Sequence, residues 1–178
     1  GTLNVTAKAE NKNYKDVTVD YTLKVTRKAV TVTADNKSKV FGEKDPELTA
    51  TVTGTIGKDT VEYTLSRKAG EDVGTYTITP SGKAEQTNYK VTYATGTLTI
   101  TKAETMTLTP ELTGKDAEKE YDSKPLSGGA TASVTKGTKI TYSTDGGKTW
   151  SETLPSITNV GTLNVTAKAE NKNYKDVT

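Results

Sequence analysis

Two groups of carboxylates stand close enough in sequence to share a task, Glu118 with Glu120 and the alternating Glu43, Asp45 and Glu47. Paired acids can divide the work of a general acid and a general base, and clustered acids can ligate calcium. Neither group has the oxygen-rich spacing of a calcium-binding loop, and both lie among lysines, so solvated turn charge is the simpler reading. The chain has no histidine and no cysteine. That removes the commonest general base, the commonest transition-metal ligand and every thiolate or disulfide. A lysine-to-asparagine isopeptide bond needs a buried lysine, an asparagine and an acid in contact, which spacing along a chain does not reveal. No catalytic residue, metal ligand or cofactor is assigned, and the chain reads as a non-enzyme. Trp150, the single tryptophan, and Tyr142 remain as a candidate aromatic platform on which a ligand could stack.

The elements that must position these residues are set by repetition. The stretch GTLNVTAKAENKNYKDVT begins at residue 1 and again, without a change, at residue 161, so the repeat is 160 residues long. This is the mark of a recently duplicated array. The period divides further: Val73-Gly74-Thr75-Tyr76-Thr77-Ile78 has the design of Val160-Gly161-Thr162-Leu163-Asn164-Val165, and Asn-Tyr-Lys recurs at residues 13–15, 88–90 and 173–175. Two related modules therefore alternate. Residues 1–28 read as the closing part of a module A, 29–103 as a complete module B, and 104–178 as a further module A that stops before its last strand.

Apolar residues alternate with polar ones, mostly threonine and lysine, through Leu3-Val5-Ala7, Val17 to Val25, Val30 to Ala34, Tyr89 to Tyr93 and Thr97 to Thr101. Period two is the pattern of a half-buried strand, and a hydrophobic content of 31% suits small modules with modest cores. Short, regular spacing between turn signals such as Gly42-Glu43-Lys44-Asp45-Pro46 and Pro80-Ser81-Gly82 predicts antiparallel β modules, an Ig-like sandwich or a β-grasp with room for one short helix. The expected core of module B is Val32, Phe41, Leu48, Val52, Tyr63, Leu65, Tyr76, Ile78, Tyr89, Val91, Leu98 and Ile100. Net charge is +2 with both signs interspersed, so no nucleic-acid footprint emerges. No apolar run approaches the ~20 residues of a membrane helix, and membrane insertion of this segment is not expected.

Three further signals have bland explanations. Ser143-Thr144-Asp145-Gly146-Gly147-Lys148-Thr149-Trp150 is similar to the Asp-box of sialidase propellers, but there is one box, the chain is too short for a propeller, and Arg27 and Arg67 cannot form an arginine cluster. A Gly-Gly hairpin turn with Trp150 packed on the core is the expected reading. Thr-x-Thr tracts are similar to ice-binding ranks but fall at irregular intervals. The sequons Asn4-Val5-Thr6 and Asn36-Lys37-Ser38 are read as idle.

Phe41-Gly42-Glu43-Lys44-Asp45-Pro46, then Gly70-Glu71-Asp72-Val73-Gly74-Thr75-Tyr76, Asn88-Tyr89 and Leu98-Thr99-Ile100 fall in one order. Together they make residues 30–103 resemble the MBG-type repeats of large bacterial surface adhesins, with Phe41 where tyrosine is expected. Tyr121-Asp122 gives module A a resemblance to the related YDG-like modules. The resemblance implies an extracellular location at the bacterial cell surface or wall and a structural stalk or spacer role; the alternative is multivalent binding of a host glycan, mucin or other surface polymer. Neighbouring repeats are the implied partners, including head-to-tail self-association. Because Arg27-Lys28-Ala29 and Lys102-Ala103 carry one alternation into the next, stiff junctions and an elongated rod are expected. The identical ends, residues 1–18 and 161–178, would compete for one place in a sheet. Residues 19–26 are accordingly expected to pair with residues 104–178 of a neighbour, or the chain to be an excerpt of a continuous fibre.

Overall fold

In the computed structural model, which describes residues 1–104, 106–110 and 117–178, the chain is all-β, with no helix among the described residues. Two compact units form, one from Gly1–Asn36, Leu48–Lys68 and Thr77–Thr97, the other from Lys37–Glu47, Ala69–Tyr76 and Leu98–Thr178. These units cut across the linear division at residues 28/29 and 103/104.

The first unit opens with a long hairpin, Thr2–Asn11 against Tyr14–Lys24, in the register Leu3↔Leu23, Val5↔Tyr21, Ala7↔Val19 and Ala9↔Val17. Its two-residue loop is closed by the Asn13 amide donating to Asn11 Oδ1 at 2.9 Å. Residues directly opposite in an antiparallel pair share a face, so the apolar positions of both strands line one side of the hairpin. That side is exposed: Leu3 is 59%, Val17 65% and Val19 58% accessible. Residues 19–24 are thus taken up by their own hairpin.

The unit's core lies on a sheet in the order Ala50–Thr53, Lys28–Ala34, Tyr89–Ala94, Glu85–Gln86. Along Lys28–Ala34 every second residue, Val30, Val32 and Ala34, is buried, as the threonine alternation requires. Val30 and Val32 pack with Val61, Tyr89 and Val91. Each buried valine contributes on the order of 1.5–3 kcal/mol. The pairing of Lys28–Ala34 with Tyr89–Ala94 is parallel, Val30↔Val91 and Val32↔Tyr93, whereas antiparallel modules were expected. Alternation along one strand carries no information about its neighbour's direction; the long return through residues 35–88 brings the last part of the module back beside the first in the same sense. In the second unit the same holds for Lys37–Val40 and Gly96–Thr101, parallel with Leu98↔Lys37 and Ile100↔Lys39.

Gly96 marks the break between the two late strands. A side chain there would collide with the Ala34 carbonyl, and the Thr97 amide donates to Asn36 Oδ1 at 2.9 Å. Of the expected core, Val32, Ile78, Tyr89, Val91, Leu98 and Ile100 are buried, while Phe41, Leu48, Val52, Tyr63, Leu65 and Tyr76 are half-buried. Val61 lies in the core just ahead of the strand Thr64–Arg67.

In the second unit Leu108–Pro110 pairs with Ala130–Ala132, Leu126–Ser127 with Ser156–Ile157, and Thr166–Asn171 lies between Lys139–Ser143 and Tyr174–Val177, all antiparallel. Met106, Ala132 and Ala169 are its buried centre, covered by Val134, Ile140, Tyr174 and Val177. Among the described residues, strands end at Lys24 and Thr101, and the next begin at Lys28 and Leu108.

Candidate functional site

The segment 143–150 is a structural turn. Asp145 accepts from the Ser143 hydroxyl (2.7 Å), the Lys148 and Thr149 amides (2.9 and 3.0 Å) and the Thr149 hydroxyl (2.6 Å). The Thr149 hydroxyl and amide, with Ser143, hold its carboxyl well below the usual carboxylate range. Gly146 and Gly147 have φ of 73° and 86°, the left-handed region that lets the loop fold onto that carboxylate. A group so fully engaged is unsuited to proton transfer. Trp150 donates Nε1–H to the Gly147 carbonyl at 3.1 Å and is 37% exposed, so it caps the turn rather than entering the core. Tyr142 is buried, with its hydroxyl accepting from the Ala130 amide at 3.2 Å. The two rings therefore do not make one exposed platform: Tyr142, in the strand Lys139–Ser143, is buried, and Trp150, in the turn, is partly exposed.

The carboxylates divide likewise. Glu118 and Glu120 are exposed. Asp45, with Glu71 from a distant loop, closes on Lys39, whose side chain is almost fully buried and whose Nζ donates to Asp45 Oδ1 (2.8 Å), Glu71 Oε2 (2.5 Å) and the Glu43 carbonyl (3.0 Å). Asp45 and Glu71 raise the Lys39 pKa, keeping it an ammonium that pins the Glu43–Asp45 turn. No group of three or more His, Cys, Asp or Glu able to hold a metal ion occurs among the described residues. A shallow polar groove lies beside Tyr89, Asp59, Glu62, Lys83 and Gln86. Its Tyr89 hydroxyl donates to Asp59 (2.6 Å) and accepts from the Ile56 amide (3.1 Å), and this hydrogen bond to Asp59 raises the phenol's pKa.

The richest constellation surrounds the Asn-Tyr-Lys signal at 173–175. Asn173, buried, donates Nδ2–H to Asp72 Oδ1 at 2.8 Å and accepts the Val73 amide on Oδ1 at 2.9 Å. Lys172 Nζ reaches Asp72 Oδ2 at 2.6 Å; Lys172 and then Asn173 lower the Asp72 pKa. Tyr174 meets Phe41 edge-on, ring centroids 5.4 Å apart at 70°. The Ala103 amide donates to the Asn173 carbonyl (2.9 Å), the Lys175 amide to the Ala103 carbonyl (2.8 Å), and Lys175 pairs with Glu104. The motif plays a related part at 88–90, where the Lys28 amide donates to the Asn88 carbonyl (2.9 Å) and Tyr89 pairs in parallel with Lys28, as Tyr174 does with Ala103. Asn-Tyr thus marks the return of a late hairpin onto the opening segment. Its recurrence in the sequence was the signal; Asp72 and Phe41 as its partners were not foreseeable.

The described residues form several small antiparallel and mixed β sheets. Residues 30–99 match the family model of the MBG domain (YGX type), so this stretch is similar to that family, whose members occur in bacterial surface proteins. No curated protein and no solved structure matches the chain.

Proposed function

We propose that the chain is a non-catalytic structural spacer from the repeat array of a bacterial cell-surface protein, holding a functional region away from the cell. The observation that carries this reading is the unchanged 18-residue repeat at a 160-residue interval, together with a match to a surface-protein domain between the copies. The Asp72–Asn173 constellation supports it, since a spacer gains stiffness when the turn of one stretch is locked by several polar contacts onto the loops of an earlier one. The similarity of residues 30–99 to a domain of bacterial surface proteins supports an extracellular location, and the lack of cysteine is compatible with it. The YDG-like kinship of residues 104–178 belongs to this reading. The test is a series of proteins with one, two and three copies of the 160-residue period: small-angle scattering is expected to show a maximum dimension that grows by a constant increment. A dimension that fails to grow with copy number overturns the spacer role. Specific binding on a glycan array, abolished by Trp150→Ala, would instead favour a binding module.

A further inference from the structure

We propose that the parallel pairing of Lys28–Ala34 with Tyr89–Ala94 is a load-bearing clamp, which meets tension along the chain by shearing as a whole rather than opening pair by pair. The chain enters this pair at one end and leaves it at the other. The register runs Lys28↔Tyr89, Ala29↔Lys90, Val30↔Val91, Thr31↔Thr92, Val32↔Tyr93 and Thr33↔Ala94. Tension that arrives before Lys28 pulls the first strand toward its own N-terminus, and tension that leaves after Ala94 pulls the second toward its own C-terminus. Because the strands are parallel, the two pulls lie along the strand axes and oppose each other, so every cross-strand bond of the register carries load at once. Antiparallel neighbours joined by a short loop, such as Thr166–Asn171 and Tyr174–Val177, receive both pulls at one end and open one pair at a time.

The surroundings of the pair reinforce it. Lys28–Ala34 is an interior strand of its sheet, with Ala50–Thr53 along its other edge from Thr31↔Thr53 to Ala34↔Ala50, so drawing it out breaks two registers. Val30, Val32 and Val91 are buried in one core, which keeps water from replacing the strand-to-strand hydrogen bonds singly. The Thr92 hydroxyl donates to the Val30 carbonyl at 3.2 Å and lies 3.1 Å from the Thr31 hydroxyl, adding side-chain links across the same pair. The Lys28 amide, donating to the Asn88 carbonyl at 2.9 Å, ties down the loaded end. The second unit has the same geometry by itself, with Leu98↔Lys37 through Thr101↔Val40 in parallel register. Forced unfolding is governed by the rate of crossing the barrier rather than by equilibrium stability, so the direction of pull decides how much force the same contacts withstand. The clamp takes its purpose from the spacer reading, since a chain held at both ends is under tension, but its measurement does not depend on that reading.

The test pulls the full chain in two directions. Because it has no cysteine, DNA handles can be attached at chosen cysteine pairs and stretched with optical tweezers. Thr26→Cys with Thr95→Cys loads opposite ends of the register, whereas Thr26→Cys with Asn88→Cys loads one end of it; all three positions are exposed. The rupture force between residues 26 and 95 is expected to exceed that between 26 and 88 by at least about twofold and at most about sixfold, since six register pairs share the load in the first geometry and one at a time bears it in the second. Lys90→Cys, also exposed, replaces Asn88→Cys should that variant fail to fold. A smaller ratio, or a higher force between 26 and 88, overturns the clamp. The copy-number series fails separately: a large force ratio with a dimension that does not grow keeps the clamp and removes the spacer, and a growing dimension with equal forces does the reverse.

Discussion

Truncating Asn173 to alanine removes a hydrogen bond to the Asp72 carboxylate and the acceptor of the Val73 amide, at a residue that is 8% exposed. A hydrogen bond to a charged group is worth about 1.5–3 kcal/mol and a neutral one about 0.5–1.5, and Lys172 stays on Asp72 as partial compensation, so the loss is about 2–3 kcal/mol. The matched control is Asn13→Ala, in the same local sequence and the same two-residue loop, where the side chain is exposed. Any change in turn propensity is common to the two variants and cancels; for Asn13→Ala the expected change is within about 0.5 kcal/mol. Urea unfolding at low protein concentration, followed by fluorescence of Trp150, reports on the unit that contains Asn173. With a slope of about 1–3 kcal/mol per molar urea, Asn173→Ala should shift the midpoint down by roughly 0.7–3 M. Equal midpoints for the two variants would refute the claim that the Asp72 contacts, rather than the turn itself, hold the second copy in place.

Asp145→Ala should lower the melting temperature and release Trp150 fluorescence, since four hydrogen bonds to the turn end on its carboxylate; because its folded pKa is depressed, its stabilisation is full above the ordinary aspartate value of ~3.9 and drains away as pH falls below it, a dependence that Asp145→Asn should flatten. The Lys39 pKa is raised, so its contribution is whole below the ordinary lysine value of ~10.4 and is lost as pH rises beyond it; alkaline unfolding monitored by circular dichroism should begin at lower pH in Asp45→Asn. Phe41→Ala should cost about 2 kcal/mol, less than a fully buried phenylalanine, because the ring is half-buried and its partner is one edge of Tyr174; a melting temperature equal to the parent's would show that the contact adds nothing. Thr141, buried with an unpartnered hydroxyl, should tolerate Thr141→Val with a gain of about 1 kcal/mol in urea unfolding, and a loss would show that the hydroxyl has a partner in solution.

What the sequence determined by itself is seen best where it repeats. Residues 9–17 and 169–177 form the same hairpin, with the same pairing and the same asparagine-closed loop, in two different settings. Local geometry of this kind depends on side-chain alternation and on an asparagine bonding its own turn, both of which travel with the sequence. The same is true of the alternating burial of Val30, Val32 and Ala34 and of the reading of Ser143–Trp150 as a turn. Burial is a different matter: Ala9 is exposed and Ala169 is not, although every neighbour in sequence is identical, because covering a face needs atoms contributed by distant residues. For the same reason the parallel pairing of Lys28–Ala34 with Tyr89–Ala94, the inward turn of Tyr142 and the partnership of Asp72 with Asn173 were decided only in the tertiary structure. An alternating strand presents both edges to any partner in either direction, and only the path of the intervening chain selects among them.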